Sequence, residues 1–122
     1  TTSSHFYIGE PLTAQCKIPQ ESATDKLYLS LGVDFALKCQ KDYRGWSFAP
    51  TRSPPENLVY RALTDDECDL PKNNKTMSVH FEITEGLKNL NITCVDGNTG
   101  KSADSSLVIR ETRCEYITFS IS

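Results

Sequence analysis

The stretch "LYLSLGVDFALKC" (27–39) places Leu27, Leu29, Leu31, Val33, Phe35, Leu37 and Cys39 at every second position. A period of two marks a half-buried strand, so all seven side chains belong to one apolar face. Gly32 in the middle predicts a bend, a bulge or a split into two strands. "TMSVHFEI" (76–83) repeats the pattern, with Met77, Val79, Phe81 and Ile83 inward and His80 and Glu82 outward. "LNITC" (90–94) turns Leu90, Ile92 and Cys94 inward and Asn91 outward. "DGNTG" (96–100) reads as a turn in which Gly97 and Gly100 accept positive φ. "SSLVIRE" and "EYITFSIS" supply further strands. In the last of these, Ile117, Phe119 and Ile121 share a parity with Glu115 and not with Cys114. That predicts a bulge after the cysteine, or a tail that faces another surface.

The alternation lapses between Gln40 and Leu58. "KDYRGWSFAPTRSPPEN" holds three prolines and a glycine around Tyr43, Trp46 and Phe48. It reads as a long loop, or as a short irregular strand between loops. "TDDECDLPKNNK" (64–75) is a second polar loop. Thr64 followed by Glu67 at the third position predicts a short capped helix over 64–68. No sustained helical period, internal repeat or low-complexity tract appears. The class is all-β, a disulfide-stapled sandwich.

Composition narrows the setting. A length of 122 residues predicts one domain over 1–122, with residues 1–9 as a flexible N-terminal segment. The net charge of −3 argues against nucleic acid as a partner. No apolar run approaches the roughly 18 residues of a membrane span. "TTSSHFYIGE" lacks the basic and apolar regions of a signal peptide, so a secreted form is expected to have lost its leader. Five cysteines at 16, 39, 68, 94 and 114 stand 23, 29, 26 and 20 residues apart. Such gaps exclude zinc-finger pairs and a C-x-x-C redox site, and read as bridges between distant strands. Two glycosylation tripeptides begin at Asn74 and Asn91. Together these predict an extracellular or cell-surface protein.

Cys39 and Cys94 each close a run on its apolar side, which makes them the best candidates for a bridge through the core. Cys16 and Cys114 flank the domain, and their union would staple its ends. Cys68 is then an unpaired cysteine in a polar, acidic loop. An odd cysteine in a secreted chain suggests an intermolecular bridge or a partner lost from the chain. Catalysis at Cys68 is disfavoured, because Asp65, Asp66, Glu67 and Asp69 raise the thiol pKa.

The chain shares motifs with two sandwich families. "ALKCQKDYRGW" followed by "LNITC" offers the cysteine, tryptophan and cysteine of an immunoglobulin domain. Trp46, however, follows Cys39 too closely, and Ile92 stands where that fold places a tyrosine. From "LTAQC" to its end, the chain resembles the SRS surface-antigen family of coccidian parasites such as Toxoplasma and Sarcocystis. The resemblance rests on the early Cys16, "FALKC" (35–39), "PPENLVY" (54–60) leading to Cys68, and a strand ending in Cys94 before a glycine-bearing turn. A late cysteine followed by "YITFSIS" completes it. The six-cysteine surface proteins of malaria parasites share this architecture. The family pairing, first with sixth and second with fifth, implies Cys16 with Cys114 and Cys39 with Cys94. The chain departs from the pattern twice. The family's fourth cysteine is missing where this chain reads "NNKTM", and one extra residue precedes the last apolar run.

The resemblance implies a non-enzymatic surface antigen, anchored to the plasma membrane by glycosylphosphatidylinositol (GPI). It would contribute to attachment to host cells and meet host antibodies. Its partners would be host-cell surface glycans, sulfated ones included, or a receptor, and dimerisation is linked to that reading. The alternative is an immunoglobulin-like adhesion or receptor domain with a protein ligand. Residues 38–61 carry Lys38, Lys41, Arg44, Arg52 and Arg61 against Asp42 and Glu56. This basic segment interleaves with aromatics, and Lys41, Arg44 and Arg52 are its candidate polyanion contacts. The plainer reading has Trp46 and Phe48 capping the core while the charges solvate the loop. His5 and His80 read as surface histidines, which leaves no residues for a catalytic triad. "DDECD" lacks the spacing and glycine of a calcium loop, and Gly97 and Gly100 precede no helix that would cradle phosphate. The sequence therefore predicts no metal and no cofactor.

Overall fold

The computed structural model describes residues 9–88, 91–103, 105–109 and 115–121. The expectations for the N-terminal segment, His5, Leu90 and Cys114 therefore fall wholly or largely outside the described residues. The chain is an all-β sandwich stapled by two disulfides. In chain order the elements are β1 (Pro11–Lys17), β2 (Lys26–Leu31), β3 (Phe35–Asp42), β4 (Gly45–Pro50), β5 (Val59–Tyr60), α1 (Asp65–Cys68), β6 (Thr76–Glu82), α2 (Glu85–Lys88), β7 (Ile92–Asp96), β8 (Ser102–Ala103), β9 (Ser105–Ile109) and β10 (Glu115–Ser120). One sheet runs β5-β6-β1-β10-β9 and the other β4-β3-β2-β7-β8. The β1–β10 pair is parallel, and every other pair is antiparallel.

The expected alternation builds the core. Leu27, Leu29 and Leu31 from β2 and Phe35, Leu37 and Cys39 from β3 are buried. They face Leu12, Ala14 and Cys16 from β1, Met77, Val79 and Phe81 from β6, and Phe119 from β10. The run 27–39 is a hairpin and not one strand: Leu31 lies opposite Phe35 across a loop of residues 32–34. Gly32 takes φ 77 to make that turn. Val33, expected inward, is 97% exposed at the tip. Each paired couple in this hairpin has numbers summing to 66, an even total. Odd residues therefore oppose odd residues, and the inward parity passes through the turn unchanged.

The segment after Gln40 also folds back. β4 lies along β3, with Phe48 opposite Cys39 and Trp46 opposite Lys41. Both aromatic rings are half-buried against the core, as the plainer reading of that segment expected. The short helix over 64–68 forms as α1. Thr64 Oγ1 accepts from the Glu67 N–H, and the Glu67 carboxylate accepts from the Thr64 N–H. That second bond, chiefly, holds the Glu67 carboxyl below its ordinary range, with help from Arg61 at 2.8 Å. α1 touches β4 and β6 and closes the side of the sandwich between the two sheets.

The sulfurs correct the expected pairing. Cys16 bridges Cys94 (Cα–Cα 5.8 Å), and Cys39 bridges Cys68 (Cα–Cα 5.3 Å). Cys39 and Cys94 do both point inward, but they lie in one sheet with β2 between them. Two strand spacings, about 9.6 Å, exceed the reach of a disulfide. Cys16 is at the centre of the opposite sheet and faces β7 across the core. Its register partner on β10 is Phe119, while Glu115, the neighbour of Cys114, pairs with Leu12. Four residues of strand, about 13 Å, separate that end of β10 from Cys16. Cys68, expected unpaired in a solvated loop, is fully buried at the end of α1, where it meets Cys39.

Asp96 is the one buried carboxylate among the described residues, at the end of β7. It accepts hydrogen bonds from Thr24 Oγ1 at 2.6 Å and from the N–H groups of Asn98 and Thr99 at 2.8 and 3.3 Å. Burial pushes its carboxyl up, but these donors pull it down, and the net position is below the ordinary range. A depressed folded-state pKa stabilises the fold above the unfolded pKa, and that stability is lost as pH falls through the folded value. Asp96→Asn is expected to cost about 1–3 kcal/mol at neutral pH and to flatten the acid limb. Urea unfolding at neutral and acidic pH checks both effects. In the same turn, Gly100 takes φ 77, whereas Gly97 is needed for space. A Cβ at position 97 would come within 2.5 Å of the Lys26 side chain and 2.7 Å of the Tyr28 ring.

Candidate recognition surface

The β3–β4 turn gathers much of the exposed chemistry singled out in the sequence. Gly45 at φ 114 closes the two-residue tip formed by Tyr43 and Arg44. Asp42 organises that tip: its carboxylate accepts from the Arg44 N–H at 2.8 Å and lies 3.6 Å from the Arg44 guanidinium. The guanidinium also stands 5.3 Å from the centre of the Tyr43 ring. Tyr43 itself is 92% exposed, so a large aromatic with a cation over it projects into solvent.

Trp46 forms a ridge between two open clefts behind this tip. One, of about 540 Å³, is lined by Thr24, Asp25, Lys41, Asp42, Trp46 and Lys75, among others. The other, of about 260 Å³, lies between Asp42, Arg44, Gly45, Trp46, Ser47 and Asp65. The Lys41 N–H donates to the Asp25 carbonyl at 2.7 Å, and Lys75 Nζ donates to the Ser22 carbonyl at 2.8 Å. These bonds fix the floor of the larger cleft.

Of the three candidate basic residues, Arg44 is part of the tip and Lys41 lies beside it on β3, and both are exposed. Arg52 is also exposed but follows Pro50, at the other end of β4. Roughly 17 Å of strand separates it from the tip, so it does not join them. The tip is also less basic than its sequence, because Asp25, Asp42 and Asp65 enter the clefts beside Lys41, Arg44 and Lys75. Asn74 and Asn91 are both exposed, Asn74 with φ 57. His80 is exposed, with Nδ1 3.0 Å from Thr13 Oγ1. Among the described residues no group of three or more His, Cys, Asp or Glu could hold a metal ion, and no helix is long and apolar enough to cross a membrane.

Sequence reasoning missed a third cleft, of about 520 Å³, on the outer face of the β1 and β6 sheet. Gln15, Lys17, Ser78 and His80 come from the strands, and Glu67 and Asn74 from the connection before β6. Its strand residues are the outward positions of alternating runs. A period-two pattern marks them only as solvent-facing. Thr13, Gln15 and Lys17 alternating with Leu12, Ala14 and Cys16 was the available signal for β1.

No family model, curated protein or solved structure matches the chain.

Proposed function

We propose that the chain is a non-enzymatic cell-surface antigen domain that contributes to attachment to host cells, and that its contact region is the Trp46 end of the sandwich. The observation that carries this reading is the tip itself. An exposed tyrosine with an arginine over its ring stands beside a tryptophan ridge, and these three residue types dominate binding hot spots. Two buried disulfides and two exposed glycosylation asparagines suit an oxidising, extracellular setting. The coccidian SRS resemblance, and with it a GPI anchor, rests on the strand motifs. The observed bridges depart from the pairing that family implies. The immunoglobulin-like alternative is less well supported, since it needs a bridge between sheets from the cysteine preceding the tryptophan. Here that cysteine, Cys39, lies in the same sheet as Cys94.

Sulfated glycan is the ligand class this proposal takes for Lys41 and Arg44. The Lys41→Glu, Arg44→Glu double variant is expected to leave a heparin column at clearly lower salt than the parent. Arg52→Glu, distant from the tip, is expected to change retention much less. Unchanged retention of the double variant would remove the polyanion assignment. Equal losses from both variants would replace a localised site with a diffuse charge effect.

A further inference from the structure

The cleft on the outer face of β1 and β6 takes no part in the proposed contact region. Its floor is built from cross-strand couples of that antiparallel pair. Lys17 lies opposite Thr76 and Gln15 opposite Ser78, and His80 continues the row. The side chains of Gln15, Lys17 and Ser78 have no hydrogen-bond or ion-pair partner among the described residues. Neighbouring polar groups on one sheet face are thus left open toward a single cavity.

Asn74 stands on the wall of this cleft, and its backbone is held in place. The Asn74 carbonyl accepts from Gln20 Nε2 at 3.0 Å and from Thr76 Oγ1 at 3.2 Å. Asn73 Nδ2 fixes the preceding turn by donating to the carbonyls of Asp66 and Asp69 at 2.7 and 2.8 Å. Asn74 and Lys75 both take φ 57, and the chain divides its side chains there. Asn74 belongs to this cleft, whereas Lys75 belongs to the larger one beside Trp46. The Asn74 side chain is exposed and makes no hydrogen bond among the described residues. Asn91, the other glycosylation asparagine, lines none of the three clefts.

We propose that this cleft is the seat of the chain's own N-linked glycan, rooted on Asn74, with its first N-acetylglucosamine units lying along β6 and β1 from Thr76 toward His80. The inference rests on the extracellular setting proposed above. In the covalent step Asn74 Nδ2 displaces the diphosphate of a lipid-linked oligosaccharide at the anomeric carbon. The new C–N bond replaces a C–O bond, whose electron pair leaves on the diphosphate, and the amide gives up one proton. From Thr76 to His80 the floor spans four residues of strand, about 13 Å. The sugar's hydroxyl and acetamido groups donate and accept, as do Gln15 and Ser78, while Lys17 donates. The residues lining the cleft include no aromatic ring for a free sugar to stack on. A sugar tethered to the wall instead meets the floor at the high effective concentration of a short linker. So seated, the glycan covers the outer face of this sheet and leaves the Trp46 end open.

The test compares Asn74 with Asn91 in protein secreted from cells that retain high-mannose glycans. The probe is an endoglycosidase that cuts between the first and second N-acetylglucosamine. On the native protein, cutting at Asn74 is expected to be slower than at Asn91 by about fivefold or more, the effect of one or two net hydrogen bonds. On glycopeptides from the same sample the two rates should be equal. Gln15→Ala with Ser78→Ala should bring the native rate at Asn74 up toward that at Asn91, while unchanged tryptophan fluorescence shows that the fold is kept. Equal native rates would overturn the proposal, as would a rate at Asn74 indifferent to the double substitution. So would a chain glycosylated at Asn91 and bare at Asn74. Those results leave the extracellular setting standing. A chain with neither asparagine modified and its cysteines reduced would remove both.

Discussion

Replacing Cys16 and Cys94 together by alanine is expected to lower the unfolding free energy by about 4.5 kcal/mol, from the entropy of the open 78-residue loop. The double replacement matters, since a single one leaves a reactive thiol in the core. Both residues are fully buried. Cys16 lies between Met77 and Phe119 in one sheet, and Cys94 between Leu29 and Ala103 in the other. The bridge therefore ties the sheets together at the middle of their contact. Small domains hold only about 5–15 kcal/mol in total, so this loss would bring the domain close to unfolding. Urea titration of parent and variant measures it. A loss under about 1 kcal/mol would mean that the sandwich does not depend on this cross-link.

The second large effect concerns Cys39 and Cys68. Closing a 29-residue loop is worth about 3.6 kcal/mol, so the alanine pair should be destabilised by roughly that amount. This bridge also has a local role, as it fastens α1 to β3 at the open side of the sandwich. α1 touches β4, and Asp65 lines the smaller cleft beside Trp46. The chain has a single tryptophan, so its fluorescence reports on this place alone. The expected result is a red-shifted Trp46 emission at native-state concentrations of denaturant, before global unfolding. An unshifted spectrum would show that α1 does not hold the Trp46 end in place.

The two disulfides also mark what was legible in the sequence. Alternation correctly placed Cys39 and Cys94 inward, because the face of a strand residue is a local property. It did not distinguish the same sheet from the opposite one, since strand order arises from pairings between distant segments. The hairpin at Val33 escaped for a related reason. An even register keeps the apolar parity across the loop, so one strand and two give the same pattern. β4 was obscured by the prolines around it, although Trp46 and Phe48 do share a face. Thr64 and Glu67 signalled α1 because a capping box is wholly local. Lys41 and Arg44 stay neighbours because a two-residue turn holds them, whereas the length of β4 carries Arg52 away. The acidic residues that enter the clefts come from three separate segments, a convergence that only the fold creates.

Non-reducing tryptic mapping of the disulfides tests the central claim most directly. Each of the five cysteines falls in a different tryptic peptide, so every linkage has its own mass once any glycan on Asn91 is removed. The expected result is Cys16 linked to Cys94 and Cys39 linked to Cys68. Cys16 linked to Cys114, with Cys39 linked to Cys94, would contradict the strand order, the closure of the sandwich by α1 and the placement of the Trp46 end together.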